Sequence, residues 1–213
     1  MSRARTSQTI MKTAATLALL ALLGGNVLAQ GLVKFSNSTS TLISYGYEGG
    51  PILGPLDPAS TYYFALLTAP LGTTDPQAFT FAGIYATNTA ATTGGRIQGG
   101  VIAGVQVAGW PAGESRAFMV EGWDARLGTT WSPDIYRAWN DTQGYYWGLS
   151  PIGQGRAGGI DTNGLTFPAM NVFGSAPSLP GFVLITWIPE PTTGTLTALA
   201  AASLLVMRRR QGH

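Results

Sequence analysis

Six tryptophans accompany no cysteine and a single histidine, the terminal His213, in this chain of 213 residues; disulfides, Ser-His-Asp or Cys-His nucleophilic sites and His/Cys zinc or copper centres are thereby excluded. The formal net charge is +2, but Arg3, Arg5 and Lys12 at one end and Arg208, Arg209 and Arg210 at the other hold half of the twelve cations. Residues 31–188 carry six cations against nine carboxylates, a net −3, so no nucleic-acid partner is expected, which would need clustered Lys/Arg on the body itself.

In chain order, the basic n-region of Arg3, Arg5 and Lys12 precedes an apolar stretch over 14–23, and Val27-Leu28-Ala29 forms a small-residue cleavage site. The three parts make 1–29 a secretory signal peptide, cut after Ala29, with the secretory translocon and signal peptidase as its partners. The remaining body, roughly 158 residues by this reading, suffices for one core held by packing alone.

Within the body, short β-rich runs alternate with Gly, Pro, Asn and Ser. Strands are predicted over 31–35, 41–47, 61–67 and 79–86, with a Gly/Pro-rich loop over 48–60 and a turn or single helical turn at Asp75-Pro76-Gln77-Ala78. A polar stretch over 87–95 precedes a predicted strand over 96–107, whose glycines suggest bulges or close approaches. The strongest strand signal is 115–124: Phe118 and Val120 face one way, and Met119, Glu121 and Trp123 the other. Apolar residues on both faces predict an interior strand. A short helix follows, with Ser132 as N-cap, Pro133 at its first position, and Ile135, Ala138 and Trp139 on one side, ending near Asn140. Further strand-like runs cover 144–149, 165–173 and 181–188. Nine or so strands without α/β alternation predict an all-β fold: one β-sandwich domain over 30–188, with a jelly roll as the specific arrangement considered.

Aromatic residues crowd between 110 and 147, and Trp110, Trp123, Trp131, Trp139, Trp147 and Tyr136 are the candidate ligand-binding set. Exposed, such rings would stack on sugars of an exopolysaccharide; buried, they fill a core. Glu114, Glu121, Asp124, Asp134 and Asp141 are the carboxylates nearest the cluster. A glycosidase would need two of them facing across a cleft, whereas pairing with Arg116, Arg126 and Arg137 makes them structural. No catalytic, metal or cofactor residue is assigned. Asp161-Thr162-Asn163-Gly164 starts like a calcium loop but has Val172 where the closing glutamate would stand, and so reads as an Asn-Gly turn. The sequons at Asn37 and Asn140 read as chance matches, and the Gly pairs at 94–95, 99–100 and 158–159 lack the lysine or helix start of a phosphate loop.

At the C-terminal end, Pro189 and Pro191 bar a regular element from crossing the junction. The uncharged 192–207 stretch would reach roughly 24 Å as a helix, a little short of a ~30 Å hydrocarbon core that snorkelling arginines could meet. Arg208, Arg209 and Arg210 then place that end in the cytoplasm and the body outside. The order Pro189-Glu190-Pro191, apolar helix, Arg208-Arg209-Arg210 resembles the PEP-CTERM sorting signal of Gram-negative bacteria. The resemblance implies recognition by the membrane enzyme exosortase, anchorage by the C-terminal transmembrane helix before processing, and a final place at the cell surface or in the extracellular matrix, often with exopolysaccharide. The run from Gly113 through Phe118-Met119-Val120-Glu121-Gly122-Trp123-Asp124 to Gly128-Thr129-Thr130-Trp131 is also similar to an ectodomain recurring in PEP-CTERM proteins. It departs from that pattern at Glu121 and Gly122, and the likeness implies no activity. Together these features lead to the expectation of a non-enzymatic structural or adhesive surface protein, with a carbohydrate-binding module as the alternative.

Overall fold

Alternating and doubly apolar runs give an all-β body in a computed structural model that describes residues 30–187, with 90–92 and 102 excepted. The predicted signal peptide (1–29) and the sorting segment (189–213) lie outside the described residues. In chain order the strands are β1 (Gln30–Ser36), β2 (Ser44–Tyr47), β3 (Ile52–Pro55), β4 (Tyr62–Pro70), β5 (Thr80–Asn88), β6 (Ile97–Gly99) and β7 (Val105–Pro111). They continue as β8 (Ser115–Asp124), β9 (Trp147–Leu149), β10 (Gly153–Arg156), β11 (Gly159–Ile160), β12 (Thr166–Phe167), β13 (Met170–Asn171) and β14 (Val183–Thr186). Twelve of them form one curled sheet in the order β13-β1-β6-β5-β4-β8-β9-β14-β2-β3, with β10 also on β8 and β7 also on β1. Pairing is antiparallel except for β1 with β13 and β14 with β2.

Strand β8 has the predicted bounds and lies inside the sheet, paired from Arg116 to Asp124 with β4 (Tyr62 opposite Asp124 to Pro70 opposite Arg116) and on its other side with β9 and β10. Its alternation divides two apolar layers. Phe118 and Val120 join the main core with Val33, Phe64, Ile97 and Leu184, whereas Met119 and Trp123 join a second layer with Leu67, Phe79 and Ile135. The sheet curls because β1 divides its partners: Gln30 to Val33 pair with β7, while Phe35 and Ser36 pair with β6.

Several expectations are corrected. The predicted 48–60 loop contains β3, which pairs along β2; an edge strand bonds on one side only and tolerates the Gly54-Pro55 step that hid it. The predicted 96–107 strand is two strands, β6 and β7, parted at Gly100 (φ +73°) and Gly104 (φ +119°), a backbone region open to glycine. The 165–173 run is broken by Pro168 into β12 and β13. The predicted 61–67 strand runs on to Pro70, and the 41–47 strand is regular only from Ser44. Asp75 does cap a 3-10 turn over Pro76–Ala78, its carboxylate accepting the Gln77 N–H. The helix covers Ile135–Asn140 and buries Ile135 and Trp139, but Ala138 is exposed. Asp134 rather than Ser132 stands at the N-cap, without a side-chain cap bond, and Pro133 lies outside the helix; the Ser132 hydroxyl instead accepts the Asp134 N–H at 3.2 Å just ahead of it. Among the described residues no helix is long and apolar enough to cross a membrane.

Candidate functional site

Alternation along β8 carries Glu121 onto the outer face of the sheet, between Met119 and Trp123, where the 125–147 segment folds over it. Glu121 is only 7% exposed. Its two carboxylate oxygens accept one indole N–H each, from Trp131 at 2.6 Å and Trp147 at 2.7 Å. The ion pairs among the described residues join Arg116 to Glu114, Arg126 to Asp124 and Arg137 to Asp134, so Glu121 is held by dipoles rather than by a cation. Burial pushes its carboxyl above the ordinary value of 4.5, and the two indole hydrogen bonds partly offset that rise.

Each indole is in turn seated by aromatic neighbours. Trp131 stacks on Phe81 with centroids 5.4 Å apart, and its backbone N–H donates to the Tyr85 hydroxyl at 2.8 Å. Trp147 packs edge-on against Tyr136 at 4.8 Å and lies 5.4 Å from Trp139. Trp139 donates to the carbonyls of Tyr145 and Ile185 at 3.0 and 3.2 Å, tying the helix to β14. Trp123 stacks on Tyr63 and donates to the Gly128 carbonyl.

Of the six candidate rings, five gather on this outer face. Trp110 lies in the main core instead, against Phe118 and donating to the Glu114 carbonyl. Trp110, Trp123 and Trp139 are 1%, 0% and 2% exposed, and rings so enclosed cannot stack on an external sugar. Tyr136, 52% exposed, offers the most open ring of the set, with the half-buried Trp147 beside it; Trp131 is also half-buried. Sequence reasoning missed Phe81, Tyr85 and Tyr63 as members of the layer; the signal was the spacing of Phe81 and Tyr85, an even number of residues apart on one strand.

The pairings expected for the carboxylates are present: Glu114 with Arg116, Asp124 with Arg126, Asp134 with Arg137. Asp124 also caps the turn after β8, and Arg126 lies 4.1 Å over the Tyr145 ring. Among the described residues no three His, Cys, Asp or Glu side chains converge on a common point. The Asp161 carboxylate accepts the N–H groups of Asn163 and Leu165, with Gly164 at φ +80°, which makes the expected turn between β11 and β12. Asn37 is buried and donates both amide protons, to the carbonyls of Thr41 and Gly95, so its sequon position is occupied by structure. The sorting residues Pro189, Glu190, Pro191, Arg208, Arg209 and Arg210 lie outside the described residues. No protein-family model, curated protein or solved structure matches the chain.

Proposed function

We propose that this chain is an exported protein of the cell surface or extracellular matrix with a structural or adhesive role, sorted through a C-terminal PEP-CTERM signal. The observation that carries the reading is the pairing of an export leader at Arg3 to Ala29 with the Pro189-Glu190-Pro191, apolar, Arg208-Arg209-Arg210 order at the other end. In this reading the translocon and signal peptidase act first, the membrane holds 192–207, and exosortase acts near the Pro-Glu-Pro step. The part delivered outside is then a single β-sandwich over 30–188, a reading supported by the curled sheet with apolar residues packed within it. No reaction is assigned to it; the support is that Glu121 is engaged by two indoles and Asp124 by Arg126. Intact mass and C-terminal peptide mapping of the native protein from envelope and medium test the reading. Loss of everything beyond the Pro189–Pro191 region is expected, and an intact arginine tail in the membrane fraction would overturn the sorting step.

A second reading, a carbohydrate-binding module, is favoured by one feature: the exposed Tyr136 ring beside the half-buried Trp147. Affinity electrophoresis through neutral polysaccharides should then retard the wild type and not Tyr136→Ala. Equal mobility with and without polysaccharide sinks it.

A further inference from the structure

The register of β1, β6 and β5 gathers polar side chains on one outward face. Ser36 stands opposite Gln98, and Gln98 opposite Thr87. Two residues along, Thr89 N–H donates to the Arg96 carbonyl at 2.9 Å, so these two side chains continue the same row. Here Ser36, Thr89, Arg96 and Gln98, with Gly99 and Gly100, line a cleft of about 230 Å3. Neither glycine tolerates a side chain: a Cβ at Gly99 would come within 2.7 Å of the Tyr85 carbonyl, and at Gly100 it would strike the Val105 side chain.

Two buried polar atoms on this cleft have no hydrogen-bond partner among the described residues, Arg96 Nε and Thr89 Oγ1. Arg96 also belongs to none of the ion pairs among the described residues, and it is the one charged side chain among those lining the cleft. A buried guanidinium N–H without an acceptor is costly, more so than a neutral donor. Lys34, two residues before Ser36 on β1, adds positive charge on the same side of that strand.

We infer that this cleft binds a carboxylate. A planar guanidinium presents parallel N–H groups at the spacing of the two carboxylate oxygens, and the Thr89 hydroxyl supplies a further donor. On the lining itself Arg96 is the one charged side chain, and a single planar guanidinium matches the two oxygens of a single carboxylate. The cleft is smaller than the roughly 300–1,000 Å3 of sites for drug-sized ligands, so it takes a single acidic group or sugar ring. Two sources present this chemistry, a free small carboxylate and a uronate residue within an acidic polysaccharide. The site stands on the cleft itself and not on the surface-matrix reading.

Calorimetric titration of the full-length protein with galacturonate, polygalacturonate and fully methyl-esterified polygalacturonate tests it. At least one acidic form is expected to bind, the ester not at all, and high salt should weaken the binding. Arg96→Gln should weaken it about tenfold or more, with Arg96→Lys intermediate and Thr89→Val a smaller loss. Monomer and polymer binding equally per site would identify a free carboxylate as the source; much tighter binding of the polymer would identify the polysaccharide. Equal binding of the ester and the acid overturns the site on the wild type alone, whatever the variants' folding. Binding of neither acid, or unchanged binding by a folded Arg96→Gln protein, overturns it too. Cell-surface location is read separately by tail mapping, so failure of one leaves the other standing.

Discussion

Glu121 spends its burial on organising two indoles. Removing the carboxylate leaves two indole N–H groups without acceptors and a hole between Met119 and Trp123, so Glu121→Ala should cost about 3 kcal/mol in denaturant unfolding. The sign of its pH dependence follows from the raised folded pKa. Between the unfolded value and the higher folded one the native state holds more protons than the unfolded chain, so the Glu121 contribution is full below the unfolded pKa and is lost as pH rises through the folded one. Measured against Glu121→Gln, wild-type stability should therefore decline with rising pH across that window; a flat difference would show that the buried carboxyl is not shifted. Tyr62 moves the same way for the same first reason, its phenol pushed up to about 12 by burial. In an alkaline absorbance titration it should ionise after the exposed tyrosines.

At the scale of elements, glycines set how closely β8 and β9 approach the core. Gly122 faces Gly148 across that pair. A Cβ on Gly122 would lie 2.7 Å from the Phe64 ring, and one on Gly148 would lie 2.5 Å from the Val183 carbonyl. Backbone cannot yield as a side chain can, so Gly148→Ala should lower stability by about 2 kcal/mol and lower the melting temperature more than Gly122→Ala does. Asn37 plays a different part: its amide bonds Thr41, Gly95 and Ile97 hold the turn after β1 to the start of β6. Asn37→Ala should cost about 2–3 kcal/mol by equilibrium unfolding.

Elements of this kind also show what a linear reading can find. β8 was legible on both faces because its own alternation carries the information. The capped turn at Asp75 and the Asp-Thr-Asn-Gly turn were legible because turn chemistry is local. β3 was not, since edge pairing to β2 leaves no periodic trace, and the division of 96–107 depends on backbone angles that glycine permits but does not announce. The link from Glu121 to Trp131 and Trp147 spans ten and twenty-six residues, and no spacing rule predicts which of several carboxylates two indoles will choose. Arg96 gave no signal at all, because its interest lies in what fails to meet it.

For the molecule as a whole, both apolar layers are built on the same two strands: β4 gives Phe64 and Leu66 to one, Ala65 and Leu67 to the other. Neither layer can come apart while the other keeps its backbone. Tryptophan fluorescence, which reports mainly the outer layer, and far-ultraviolet circular dichroism should therefore trace one coincident transition; separation of the two curves would show the outer layer to be independently stable.

The position of β14 between β9 and β2 carries a consequence for timing. Ser44 to Tyr47 pair in parallel with Val183 to Thr186, nearly the full length of the body apart, and such contacts demand closure of a very long loop before they repay it. A chain released N-terminus first presents β2 early, with one flank bonded by β3 and the other left open. That flank is filled only by Val183 to Thr186, so closure of this part of the sheet waits on the last described strand of the chain.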